Sequence, residues 1–171
     1  RVWCRMLRDL PPEKVPTLVF AGSVGWMVDD LMKAIEAARW LDGKLMFIRS
    51  PDDATLSALY LGCRFTLFLS YYEGWGLPVS DSLSFGKVCV SSDRTSMPEA
   101  GGPFCVYVDP DDTTAAYEAI RRLIEHPDEL ARLENRLRTD FVPTAWSATA
   151  DAVLAATLGA GVVSCSSKTP K

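Results

Sequence analysis

Short apolar runs spaced by stretches of helical length constrain this chain more than any other feature. They are Thr17 to Ala21, Leu45 to Ile48, Phe65 to Leu69, Val88 to Val90 and Cys105 to Val108. Each is nearly continuous rather than alternating, the pattern of a strand covered on both faces. The segment from Trp26 to about Leu41 carries Met27, Leu31, Ile35 and Ala38 at helical spacing, with Asp29, Asp30, Lys33 and Glu36 on the other face. Strand, crossover and strand in repetition predicts an α/β fold, a Rossmann-like parallel sheet with helices on both faces. In such open sheets a ligand binds beyond the carboxyl ends of the strands.

Ser50-Pro51-Asp52-Asp53 reads as a helix start with Ser50 as cap, and Leu56, Leu59, Tyr60 and Cys63 as that helix's inner stripe. Ser91 to Arg94 and Met97 to Glu99 read as irregular loops. From Asp112 onward the pattern is helical, with stripes at Tyr117, Ile120 and Ile124, at Leu130, Leu133 and Leu137, and at Trp146, Ala150, Val153 and Leu154. Residues 1–14 mix Trp3, Met6 and Leu7 with arginine and Pro11-Pro12, and read as a linker or a remnant of an interdomain region. Residues 15–158 read as the folded domain and 159–171 as a disordered tail.

A chain of 171 residues has room for one domain with a sizeable core, and a net charge of −4 makes no case for nucleic acid or an anionic membrane. The five cysteines (Cys4, Cys63, Cys89, Cys105 and Cys165) are odd in number and lack C-x-x-C spacing. Cys63, Cys89 and Cys105 lie in apolar surroundings and read as small core residues of a reducing compartment. The sequence opens on Arg1 and is expected to be a piece of a longer protein; no signal-peptide pattern leads it. Its longest charge-free tract, Ala152 to Ser167, is too short and too interrupted by glycine and serine to span a bilayer.

The chemistry gathers in Glu73-Gly74-Trp75-Gly76-Leu77-Pro78-Val79-Ser80-Asp81. The apolar run before it reads as a strand, and Pro78 to Phe85 reads as a short helix closed by Gly86, with proline near its first position. Unpaired N–H groups at a helix start favour anions. Glycine lets the backbone of Gly74, Gly76 and Leu77 approach a diphosphate. The flanking carboxylates of Glu73 and Asp81 can each accept two hydroxyl donors. A loop that gathers free N–H donors and two carboxylate acceptors suits a ligand that carries both phosphates and hydroxyls. Trp75 is expected to pack beneath the loop.

Glu-Gly-Trp-Gly-Leu-Pro followed by an acid resembles the donor-site signature of retaining GT-B glycosyltransferases of family 4, also called glycosyl transferases group 1. The resemblance runs over about residues 15 to 155, through Gly25-Trp26, Tyr60, Cys63, Phe65-Thr66, Gly86-Lys87, Met97-Pro98-Glu99 and Asp109-Pro110. It implies that the chain is the C-terminal, nucleotide-sugar-binding half of a GT-B fold. The enzymes it resembles build cell-surface polysaccharides, lipopolysaccharide among them, from GDP-mannose or UDP-sugars, with retention and without metal. By that resemblance Glu73 is the catalytic residue and faces the hydroxyls of the transferred sugar, and Asp81 takes the ribose. Gly22, Ser23, Gly74, Trp75, Gly76 and Leu77 complete the donor site. The family has glutamate where Asp81 stands and a basic residue where Ser23 stands. Arg49, Arg64 and Arg94 are candidates to supply the missing charge, and Glu99 is a further candidate near the cleft.

The resemblance further implies a missing N-terminal acceptor domain, a glycan or lipid-linked acceptor, and a cytoplasmic protein that meets the inner membrane face through the absent half. No cofactor beyond the nucleotide-sugar substrate is expected. Asp109-Pro110-Asp111 has the D-x-D form of metal-dependent glycosyltransferases of another fold, but reads more simply as a cap and first-turn proline. The single histidine, His126, supports neither a zinc cluster nor a Ser-His-Asp triad. Two alternatives stay open: a GT-B-shaped sugar-nucleotide epimerase, and a degenerate module that binds nucleotide sugars without catalysis.

Overall fold

The computed structural model describes residues 1–158; the tail reading of 159–171, with Cys165 inside it, lies outside the described residues. Helices and parallel strands alternate as expected. Strands β1 (Leu18–Gly22) and β2 (Leu45–Arg49) are joined through helix α2 (Asp29–Ala37). Helix α3 (Asp53–Gly62) leads to β3 (Thr66–Phe68), and α4 (Leu77–Ser84) connects it to β4 (Cys89–Ser92). Helix α5 (Met97–Gly101) connects β4 to β5 (Cys105–Val108), and α6 (Thr113–Glu125) and α7 (Pro127–Asp140) follow. Every pairing is parallel, and each crossover contains a helix, so the chain has the α/β, Rossmann-like architecture.

The strands form two sheets, β1–β2 and β3–β4–β5, where one was expected. They still share a core: Leu18 of β1 packs with Leu67, Val90 and Val106 against Tyr117, Ile120 and Leu123 of α6. The faces of β1–β2 are less covered than a continuous apolar run suggests, with Phe20 and Met46 both exposed. The cause is the length of α2. Met27 has φ 59°, and Arg39 to Asp42 all lie near φ 50°, so the helix expected from Trp26 to Leu41 is reduced to nine residues. Within it Ile35 alone is buried, and little apolar surface is left to cover the sheet.

The left-handed turn at Arg39 to Asp42 carries four non-glycine residues in a conformation that costs about 1–2 kcal/mol each. Asp42 is exposed, and its ion pair with Arg39 spans 3.8 Å at the surface. Asp42→Gly is therefore expected to stabilise the chain by roughly 0.5–1 kcal/mol, read as a higher denaturant midpoint at unchanged slope. A lower midpoint would show that the aspartate, rather than the turn, matters there.

Residues 1–14 are not a linker in structure. Val2–Asp9 forms helix α1, with Trp3, Met6 and Leu10 buried in the same core as Tyr117 and Ile120. Trp3 Nε1 donates to the Pro16 carbonyl (2.8 Å), the Tyr117 hydroxyl donates to Asp9 (2.7 Å), and the Arg5 guanidinium lies 3.8 Å from the Tyr117 ring centre. Other local departures have simple causes. Ser50 sits at φ 44° and the cap of α3 is Asp52, which accepts from the Thr55 N–H. Asp112, not Asp109, caps α6 by accepting from Thr114 and Ala115. Met97 to Glu99, read as loop, belongs to a helix over Met97–Gly101, whose first turn holds Pro98 and Glu99.

The chain divides after Phe141 into two compact units. The second unit contains helix α8 (Trp146–Leu158), and its expected stripe of Trp146, Ala150, Val153 and Leu154 is exposed. Cys89 is buried, Cys63 and Cys105 are half-buried and Cys4 is exposed, all as free thiols.

Candidate functional site

The loop from Leu69 to Gly76 leaves the carboxyl end of β3 and turns into α4. The turn is possible because Gly76 has φ 100°. A Cβ there would also stand 2.6 Å from Met97 Cε, so the α5 side chain fills the space a residue would need. Helix α4 is locked to the strand below it by the buried Ser82, whose hydroxyl bonds Thr66 Oγ1 (2.6 Å) and the Lys87 carbonyl (2.9 Å). Gly86, at φ 71°, ends the helix. A Cβ on Gly74 would meet nothing within 4 Å, so no protein packing demands glycine there, and the loop backbone is left bare.

Glu73 is half-buried, and its main chain is held from the loop after β4: its N–H donates to Thr95 Oγ1 (3.3 Å), and its carbonyl accepts from Ser96 Oγ (3.0 Å). Trp75 does not pack beneath the loop. It is 43% exposed and its indole N–H donates to Ser80 Oγ (3.1 Å), which lays the ring against α4. Leu77 is exposed at the first position of α4. Asp81 lies one turn further on.

Asp81 retains an exposed surface, yet burial by the surrounding protein raises its pKa above the ordinary carboxyl value. The Tyr60 phenol is pushed up to about 12, by burial first and by the Asp81 carboxylate second, which places the two groups near each other. A carboxyl whose folded pKa is raised stabilises the fold only while protonated. That contribution is complete below the unfolded pKa and is lost as pH rises through the folded one. At neutral pH the Asp81 charge is thus carried at a cost to stability.

Gly22 and Ser23 lie at the carboxyl end of β1, and Arg49 stands opposite Gly22 in the register with β2. Ser23 Oγ is 3.3 Å from Ser50 Oγ, and the Ser50 N–H donates to the Gly22 carbonyl (2.9 Å). The candidate arginines separate clearly. Arg64 donates to the carbonyls of Leu123 and Ile124 at the end of α6. Arg94 is held by Asp109 (2.7 Å), Asp111 (3.4 Å) and Asp93 (3.5 Å). The Asp109 hydrogen bond raises the Arg94 pKa, and the same bond lowers that of Asp109. Arg49 has no carboxylate partner among the described residues and lies 6.0 Å from the Phe47 ring centre. Of the three, Arg49 is the cation left for an anionic ligand beside Ser23. Glu99 is exposed on α5, two residues beyond the Met97 that contacts Gly76.

The D-x-D acids Asp109 and Asp111 serve as partners of Arg94, and Asp109 also accepts from the Asp111 N–H (2.9 Å). Among the described residues, no group of three or more His, Cys, Asp and Glu side chains is placed to hold a metal ion. A cavity of about 610 Å³ lies between β5 and α6, but none of the candidate residues lines it. Its charged lining residues are already paired, Arg121 with Glu125 and Arg122 with Glu129. No helix among the described residues is long and apolar enough to cross a membrane.

The family model described as glycosyl transferases group 1 matches residues 5–140. O-antigen chain mannosyltransferase B of Escherichia coli is 34% identical over 98 residues, 57% of this chain and 26% of that protein. GDP-mannose:cellobiosyl-diphosphopolyprenol alpha-mannosyltransferase of Xanthomonas oryzae is 33% identical over 104 residues, 58% of this chain and 26% of that protein. The chain thus spans about a quarter of the length of these curated relatives. Among solved structures, Anabaena HepE, crystallised in complex with UDP, superposes with a TM-score of 0.65 at 17% identity, over 80% of this chain and 38% of that one. At that identity the likeness is one of fold.

Proposed function

The chain belongs to the glycosyl transferases group 1 family, and on that premise we propose that it is the donor-binding half of a retaining GT-B hexosyltransferase. The donor class is a nucleotide-diphosphate sugar, GDP-mannose before UDP-sugars because the curated relatives are mannosyltransferases. The acceptor is a cell-surface glycan or its lipid-linked precursor, met through an N-terminal domain beyond these residues, at the cytoplasmic face of the membrane. The observation that carries the reading is the pairing of two acids on one loop and helix. Glu73 stands at the carboxyl end of β3, and Asp81 stands on α4 with its charge held against burial.

In this reading Glu73 receives the hydroxyls of the transferred sugar and Asp81 those of the ribose. Bare backbone at Gly74, with Ser23 just beyond β1 and Arg49 at the end of β2, holds the diphosphate. Developing charge on the leaving diphosphate is met by those N–H groups and by Arg49, and not by a metal. The protein's work is then positioning and electrostatic stabilisation. Without the acceptor half, this chain binds donor and does not turn it over. The epimerase and the inert module are less favoured, since the relatives are transferases and both acids are present.

Two substitutions titrated against two ligands test the assignment. Asp81→Ala is expected to weaken GDP and GDP-mannose alike, because both carry the ribose. Glu73→Ala should leave GDP unchanged and weaken GDP-mannose. Each lost charge-assisted hydrogen bond is worth about 1.5–3 kcal/mol, roughly tenfold or more in affinity. All four titrations should be unchanged by EDTA. Equal losses on both ligands by both folded variants would show that the acids only shape the loop, and binding that requires magnesium or manganese would overturn the metal-free reading.

A further inference from the structure

Glu73 lies in a loop without secondary structure of its own, and both polar groups of its main chain are engaged from another crossover. The Glu73 N–H donates to Thr95 Oγ1 at 3.3 Å, and Ser96 Oγ donates to the Glu73 carbonyl at 3.0 Å. Neither residue is placed there by ordinary local preference. Thr95 has φ 49°, an outlying conformation for a β-branched residue. Ser96 occupies the N-cap position of α5 with Glu99 three residues on, the pattern of a capping box. Yet its side chain makes no capping hydrogen bond, because the hydroxyl is turned to Glu73 instead.

The segment is itself held at both ends. The Asp93 N–H donates to the Val108 carbonyl (3.1 Å), the Arg94 N–H donates to Ser92 Oγ (3.0 Å), and the Arg94 guanidinium is fixed on Asp109 at the end of β5. On the other side, Met97 is fully buried against Gly76. A strained turn persists only where its surroundings over-determine it, and such turns gather at sites of function.

We propose that Thr95 and Ser96 are positioning residues: a two-hydroxyl clamp that sets the backbone of Glu73, and so the reach of its carboxylate toward the sugar of the donor. The inference rests on the reading of Glu73 as the sugar contact. It adds that the geometry of this contact is decided by the β4–α5 loop rather than by the glycine-rich loop that contains Glu73. The clamp acts on main-chain atoms, so it should govern the sugar and leave the nucleotide alone.

The test combines hydrogen exchange at the Glu73 amide with calorimetry of GDP-mannose and GDP, using Thr95→Gly, Thr95→Ser, Ser96→Ala and Ser96→Thr. Thr95→Gly removes the acceptor hydroxyl while relieving the left-handed strain, so it should keep or raise thermal stability and still speed Glu73 exchange. Thr95→Gly and Ser96→Ala should each weaken GDP-mannose roughly three- to tenfold, the range of one neutral hydrogen bond, with GDP unchanged. Thr95→Ser and Ser96→Thr, which keep the hydroxyl, should restore it. If the hydroxyl-free variants bind GDP-mannose as the wild type does while Glu73→Ala loses affinity, the clamp is not a positioning device. If they weaken GDP as much as GDP-mannose, it supports the loop generally and the inference falls. If Glu73→Ala itself binds GDP-mannose normally, the reading of Glu73 falls first and takes the clamp with it.

Discussion

Trp3→Ala is expected to destabilise the protein by about 3–5 kcal/mol, the range for emptying a buried aromatic site. Trp3 is 6% exposed and packs in the core that joins α1 to Tyr117, Ile120 and Leu123 of α6. Truncation opens a cavity there and also leaves the Pro16 carbonyl without the indole donor. Trp3→Phe separates the two losses, since it keeps most of the packing and should cost about 1 kcal/mol for the hydrogen bond. Denaturant unfolding at constant slope measures both. A chain that loses less than about 1 kcal/mol on Trp3→Ala would have α1 as an appendage, and the core would begin at β1.

Gly101→Ala should cost about 3 kcal/mol, although the new side chain is one methyl group. Its Cβ would lie 2.5 Å from both Cys105 Sγ and Tyr107 Oη, and 3.2 Å from Val79 Cγ1. Tyr107 cannot yield freely, because its hydroxyl donates to the carbonyl of Gly102 (2.8 Å) and reaches that of Met97 (3.4 Å). Overpacking of this kind costs roughly 1–3 kcal/mol, and a displaced hydrogen bond adds about 1. Gly74→Ala is the control: its Cβ meets nothing within 4 Å, so stability should be unchanged while any ligand that approaches the loop backbone is hindered. If Gly101→Ala unfolds at the wild-type midpoint, the packing of α5 on α4 and β5 is looser than its distances imply.

The sheet strands and their parallel pairing were legible because apolar runs and glycine-marked ends are local facts. The signal for α1 was present as well: Trp3, Met6, Leu7 and Leu10 recur at helical spacing, and the adjoining Pro11-Pro12 hid it. So was the signal for α5, since Ser96, Pro98 and Glu99 form a helix start. The shortening of α2 had no such signal. Of Arg39-Trp40-Leu41-Asp42 only Asp42, before Gly43, is of a type that readily takes left-handed backbone; the turn is flanked by Leu41 packed against the core and by Lys44, whose ammonium donates to the Val15 carbonyl (2.6 Å).

For the candidate site, the sequence by itself determined the chemistry: two carboxylates eight positions apart, bare glycine backbone between them, and a proline-started helix. These follow from neighbouring residues, so no distant contact was needed to read them. Tertiary structure alone decided which charges remain for a ligand. Arg64 is used by the end of α6 and Arg94 by three aspartates from the loops after β4 and β5, which leaves Arg49 beside Ser23. It alone decided that Thr95 and Ser96 hold Glu73, across a separation of more than twenty positions. The physical reason is the same in both cases. A hydrogen-bonding group is committed by what the fold brings within about 3 Å of it, and a parallel sheet brings together loops that the sequence keeps apart.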